Sequence, residues 1–243
     1  MGKLIWHEFD SPRWLIHALA QTFETQTTQA IETQGEASWV LSGGASPKKF
    51  YQHLSGRELP WAKITCLLTD ERCLSEGHPK TNATMLWTHL LKHHPECQWL
   101  PIFDCAQANT SACLSAGEAR INRIKKPYTL VLLGMGPDGH TASLFPGCEQ
   151  SQQTGLNPNA RASLVYTQSP QYPQERISLT LPQLVNTQHL VLLIMGKHKR
   201  GVLEAGLKQT QTDHPDYRPI HHLIQNSPVD IQVYWSAQEK ICT

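Results

Sequence analysis

The sequence predicts an α/β protein whose mostly parallel sheet is covered by helices on both faces. Three observations predict it. Short continuous apolar runs recur along the chain, as strands buried on both faces require. Stretches with helical spacing separate those runs. Several runs end on glycines or charged residues, at the place where parallel α/β sheets bind their ligands. The length of 243 residues and an apolar share of 40% are enough for a core, and a single domain spanning 1–243 is expected.

Residues 12–33 (PRWLIHALAQTFETQTTQAIET) carry apolar side chains at helical intervals, with Ser11 placed as N-cap and Pro12 at the first helical position. Residues 37–41 (ASWVL) read as a short buried strand running into Ser42-Gly43-Gly44, and Pro47 opens a helix reaching about Leu54. A second strand, 63–69, ends on Asp70-Glu71-Arg72. Residues 81–92 are helical, 98–103 extended and 111–124 helical again. Residues 128–133 (YTLVLL) are the most strand-like run and lead into Gly134-Met135-Gly136-Pro137-Asp138-Gly139-His140. Residues 146–175 are rich in Gln, Pro, Asn and Ser and read as a long loop with one strand at 163–167, a flap over the site. Further strands are expected at 177–181 and 189–195. A helix at 197–207 opens on Gly196-Lys197-His198-Lys199-Arg200, and a closing strand follows at 229–235. The strand ends SGG, DER, GMGPDGH and GKHK thus converge on one mouth.

Charge narrows the function. The 21 basic and 20 acidic side chains leave a formal net charge of +1, too small a basic excess for a general binder of nucleic acid or of anionic membranes. That balance still allows a local anion site. The seven cysteines are scattered, with no Cys-x-x-Cys pair, which fits reduced thiols in a cytoplasmic protein rather than a disulfide framework or zinc ribbon. The first residues show no apolar stretch followed by a small-residue cleavage site, and no apolar run is long enough to span a bilayer. A cytoplasmic protein without nucleic-acid or membrane partners is expected. Its oligomeric state is not written in these features.

Among the 13 histidines, His140 is the strongest candidate for chemistry. It stands at a strand end two residues after Asp138, where a carboxylate can hold an imidazole in one tautomer and free it to act as a base; a purely structural histidine is the alternative. GMGPDG fits G-x-G-x-x-G, but Asn157-Pro158-Asn159 stand where a dinucleotide site needs an acidic residue, so no such site is expected. His89 and His93 have the spacing of metal ligands on a helix, yet no glutamate adjoins His89 and no third ligand is apparent, so a solvated helix face is expected. Gly43 and Gly44 before a helix let backbone N–H groups approach an anion; an ordinary strand–helix turn explains them equally. The basic run at 197–200 sets cations against a helix macrodipole, which either an anionic ligand or plain solvent can relieve. Asp70-Glu71-Arg72 is a substrate contact or a structural ion-pair cluster. No G-x-S-x-G elbow and no His-paired cysteine motif supports covalent catalysis.

The segments LSGGASPKKFYQHL, LLTDERCLSEGHPKTNATML, LVLLGMGPDGHTASLFPG and RISLTLPQLVNTQHLVLLIMGKHKR occur in that order. In that order they resemble the signature segments of the 6-phosphogluconolactonase family, which implies a three-layer, Rossmann-like α/β fold with a mostly parallel sheet, shared with glucosamine-6-phosphate deaminases. The resemblance implies a hydrolase without metal or cofactor that opens a 6-phosphorylated sugar lactone in the pentose phosphate pathway. It implies His140 as general base on water, with Asp138 orienting it. Arg72 is implied for the developing negative charge or for the phosphate. Gly43, Gly44, Asp70, Arg176 and Lys199 are implied as phosphate and substrate contacts. The deaminases are the nearest alternative. Their DGH motif runs on to a glutamate where this chain has Phe145, which cannot transfer a proton, and they usually carry tyrosine where Arg72 stands. A non-catalytic sugar-phosphate-binding regulator is the third reading, and the retention of Asp138 with His140 speaks against it. Ala45-Ser46 and Leu74-Ser75 depart from the family's commoner Ser-Thr and Val-Pro.

Overall fold

The structure, a computed structural model, describes residues 2–104, 109–209, 214 and 217–238. Among these, seven parallel strands form the main sheet. Their order is β1 (Leu4–Phe9), β10 (Ile231–Ser236), β9 (Thr187–Met195), β6 (Tyr128–Gly134), β2 (Ala37–Leu41), β3 (Ile64–Leu68) and β5 (Gln98–Trp99). All of β2 and all of β6 but Gly134 are buried, as expected of a sheet covered on both faces. The flanking helices are α1 (Pro12–Gln34), α2 (Ala45–Leu54), α3 (Asn82–His89), α4 (Thr110–Ile121), α5 (Leu181–Val185), α6 (Lys197–Leu207) and α7 (Pro219–Asn226). Helix α2 packs between α1 and α3, while α5 and α6 both pack on α7. The expected α/β class with a mostly parallel sheet holds. In the core, Trp39 lies edge-on to Phe23 and Trp61 and donates its Nε1–H to Thr27 Oγ1 at 2.9 Å. A fully buried indole is tolerated because its one polar atom has a partner.

Several expectations change. Strand β1 lies before the first expected element. At the sheet edge, none of its residues LIWHEF is fully buried and two are exposed, which hides it from a search for buried runs. Its presence makes β10 an interior strand rather than the closing one. The strand expected at 98–103 shortens to Gln98–Trp99, because Pro101 has no N–H for a ladder. Ser11 stands at the N-cap of α1, but its side chain makes no cap bond. The helix expected over 81–92 ends at His89, and His93 lies in a separate 3₁₀ turn, Leu91–His93. His89 and His93 therefore do not share a helix, and His89 Nδ1 faces Gln52 Nε2 at 3.2 Å. Cys66 and Cys97 are buried neighbours with sulfurs 3.4 Å apart, a thiol contact rather than a bond. Cys105 and Cys242 lie outside the described residues. No helix among the described residues is long and apolar enough to cross a membrane.

The largest difference is a second sheet. Asp70–Arg72 is a strand of its own, β4, which pairs antiparallel with β8 (Glu175–Leu179), itself antiparallel to β7 (Leu164–Gln168). Only Thr69 separates β3 from β4. Its N–H donates to Leu41 O in the main sheet (3.0 Å), and its carbonyl accepts Leu179 N–H from the small one (2.8 Å). Residues 146–175 carry β7 and a π-helical turn (Ser151–Gly155) in which Ser151 is buried and its Oγ accepts Phe145 N–H at 3.0 Å. None of them lines the cavity at the strand ends, so the expected flap is corrected to a packed part of the small sheet and its approach.

Candidate active site

The carboxyl ends of the central strands open on a cavity of about 200 Å³. All four expected clusters reach it: Gly43 and Gly44 after β2, Asp70 and Arg72 after β3, Gly134 to Gly136 with His140 after β6, and Lys199 after β9.

The turn after β6 builds the reactive pair. Asp138 Oδ1 accepts the His140 ring Nδ1–H at 2.5 Å and the His140 backbone N–H at 3.2 Å. A carboxylate can only accept, so the hydrogen sits on Nδ1 and the lone pair on Nε2. Burial works against the Asp138 charge, but the bonds from His140 outweigh it and hold this carboxyl below its ordinary value. Gly136 makes the pairing possible, since a Cβ there would lie 2.1 Å from His140 Cε1 and 2.6 Å from Asp138 Oδ1. The Phe145 ring packs against the imidazole, with centroids 4.8 Å apart. Ala142 on the cavity wall has a φ of 48°, a left-handed conformation that costs a residue bearing a Cβ about 1 kcal/mol.

A second group of features favours an anion. The N-caps of α2 and α6 are Gly44 and Gly196, and no side chain caps either first turn. By contrast, Thr81 caps α3 by accepting from Thr84 N, and Asn109 caps α4 by accepting from Ala112 N. Open first-turn N–H groups at the positive end of a helix are a place for negative charge. Arg72 and Arg176 are direct partners across β4 and β8. Arg72 donates an Nη1–H to Lys80 O, while the Nε atoms of both arginines are buried without a partner. Burial first, and then the charge of Arg72, lowers the Arg176 pKa, with Asp70 and Glu71 pulling the other way. Two adjoining guanidiniums with unused donors are relieved by an anion. Arg176 stands beside Arg72 but not on the cavity wall.

Asp70 is buried, and its two oxygens accept the Thr69 hydroxyl (2.9 Å) and the Ser143 hydroxyl (2.6 Å). Ser143→Ala leaves one carboxylate oxygen without its donor, so a stability loss of about 1–3 kcal/mol is expected, read as a lower Tm in thermal unfolding. A Tm equal to that of the unchanged protein contradicts it. Ser143, Asn82 and Ala142 are site residues that sequence reasoning passed over. Thr81 as a helix cap was a usable signal for Asn82; nothing local signals the other two.

The family described as Glucosamine-6-phosphate isomerases/6-phosphogluconolactonase matches residues 10–235. The 6-phosphogluconolactonase of Rhizobium meliloti is 32% identical over 232 residues, covering 95% of this chain and 97% of that protein. That of Xylella fastidiosa is 35% identical over 232 residues, covering 94% and 95%. Among solved structures, a 6-phosphogluconolactonase from Shewanella baltica matches with a TM-score of 0.88 at 26% identity, over 97% of this chain and 98% of that one. The Trypanosoma brucei enzyme, at 20% identity and a TM-score of 0.83 over 97% of each chain, shares the fold.

Proposed function

The chain belongs to the glucosamine-6-phosphate isomerase/6-phosphogluconolactonase family and hydrolyses 6-phospho-D-glucono-1,5-lactone in the pentose phosphate pathway; we propose that it does so by general-base activation of water at His140, without a metal. His140 on the cavity wall, held by its bond to Asp138, carries this reading. His140 Nε2 takes a proton from water as the water oxygen attacks the lactone carbonyl carbon. The negative tetrahedral intermediate collapses with cleavage of the bond to the ring oxygen. The imidazolium returns its proton to that oxygen, and the new carboxylic acid ionises to give 6-phosphogluconate. Base catalysis of this kind typically contributes about 10²–10⁴-fold.

The remaining residues hold the substrate. Backbone N–H groups at Gly43, Gly44 and the open start of α2 take the phosphate, together with Lys199. Arg72, with Arg176 beside it, offsets the substrate's negative charge, and Asp70 shapes the wall between them. Phe145 against His140 favours hydrolysis over deamination, because its ring offers no acid beside the imidazole.

The test generates the lactone with glucose-6-phosphate dehydrogenase and follows its disappearance. Loss faster than the uncatalysed reaction is expected. Ammonia release from glucosamine 6-phosphate in its place, or tight 6-phosphogluconate binding with no turnover, overturns the reading. Lys199→Ala should raise KM about 10–100-fold with kcat little changed, the size of one charge-assisted hydrogen bond made equally in ground and transition states. A fall in kcat at constant KM contradicts the phosphate assignment.

A further inference from the structure

Gly43 and Glu71 are linked through one side chain, that of Asn82. A Cβ on Gly43 would lie 2.0 Å from Asn82 Oδ1, 2.3 Å from its Cγ and 2.6 Å from its Nδ2. The Asn82 amide therefore fills the space a side chain at 43 would need, and the loop backbone rests against it. Asn82 is only 2% exposed and donates an Nδ2–H to Asp70 O at 2.9 Å. Its backbone N–H donates to Glu71 Oε1 and that of Ala83 to Oε2, each at 2.7 Å, and Oε1 also accepts the Arg72 N–H at 2.6 Å.

Glu71 is 4% exposed, and burial lifts its carboxyl to about 7 against the pull of those three N–H bonds. Both carboxyl oxygens are committed to the start of α3, so that helix end is closed to a ligand while the start of α2 stays open. On the loop's other side, Ser42 is pinned in turn. Its carbonyl accepts the Tyr51 hydroxyl at 2.6 Å, and its Oγ–H donates to Leu132 O at 2.7 Å. Gly43 thus passes between a fixed residue and a fixed amide.

We propose that Asn82, held in place by Glu71, is a positioning residue whose amide sets the path of the Gly43 loop and hence the place where the loop meets the substrate phosphate. This rests on the phosphate-loop reading above. Asn82 acts here through the backbone it supports, not on the reacting atoms.

The test compares KM and kcat for the lactone with the Kd for inorganic phosphate. Asn82→Ala is expected to raise KM and Kd about tenfold, the scale of one displaced hydrogen bond, with kcat within about threefold. Gly43→Ala, whose methyl collides with Asn82, is expected to lose more. The double variant Gly43→Ala/Asn82→Ala should bind better than Gly43→Ala alone, because the collision partner is gone. A double variant no better than the product of the two single losses, or Asn82→Ala with unchanged KM and Kd, overturns the proposal. Should Asn82→Ala fail to fold, Glu71→Gln sets one acceptor oxygen against three N–H donors and carries the same expected rise in KM; a loss in kcat alone overturns it. Unchanged protein that turns over lactone but binds no phosphate overturns the loop reading itself, an outcome distinct from an indifferent Asn82.

Discussion

His140→Gln should lower kcat by about 10²–10⁴-fold while leaving KM little changed. The replacement keeps a side chain of similar reach that can still donate to Asp138, but its amide has no basic lone pair. What is removed is the step in which Nε2 takes the water proton, and only the transition state feels that loss. The imidazole is 31% exposed and touches the core only through the Phe145 ring, against which the glutamine stem can still pack, so the Tm should move little. Steady-state kinetics over the uncatalysed background gives the answer. Full activity removes His140 from the role of base, and a raised KM at constant kcat makes it a binding residue instead.

Gly136→Ala should cost about 10²-fold in kcat/KM although it alters no group that touches the substrate. The added methyl would sit 2.1 Å from His140 Cε1 and 2.2 Å from Nδ1, well inside contact distance. The obstacle is a half-exposed side chain rather than packed backbone, so the ring moves and the fold survives. A base displaced by roughly an ångström loses about that factor. The double variant Gly136→Ala/His140→Gln should be no worse than His140→Gln alone, because one lost function cannot be lost twice. Multiplying losses in the double variant contradict this, as does a Gly136→Ala enzyme of normal activity.

How much of this was legible follows from where the information lies. Strands β2, β6 and β9 are apolar almost throughout, so their run and their parallel packing can be read locally. The glycines at 43 and 44, the Asp138–His140 turn and Lys199 each sit where a strand gives way to a loop or helix, and that too is a local pattern. Strands β7 and β8 could be read at 163–167 and 177–181, but β4 and the pairing of the three into a second sheet could not, because the residues at its centre break the hydropathy rule. Asp70, Glu71 and Arg176 are charged and buried, which becomes intelligible only once Thr69, Ser143 and the start of α3 are seen to supply their partners. The pairing of Arg72 with Arg176 depends on antiparallel register, and the contact of Asn82 with Gly43 joins two loops distant in the chain. Helices α5 and α7 span only five and eight residues, too short for a helical period to show although each begins on or beside a proline suited to a first turn.

The single residue between β3 and β4 amounts to a parity rule. Side chains alternate along a strand, so whether that linker is odd or even decides which members of Asp70-Glu71-Arg72 face the cavity. Asp70 and Arg72 do, and Glu71 does not. Deleting Thr69, or adding one residue beside it, would exchange the two sets and present a lone carboxylate where a guanidinium stood. No substitution could repair that error. A second insertion or deletion of one residue could, in the way a compensating shift restores a reading frame.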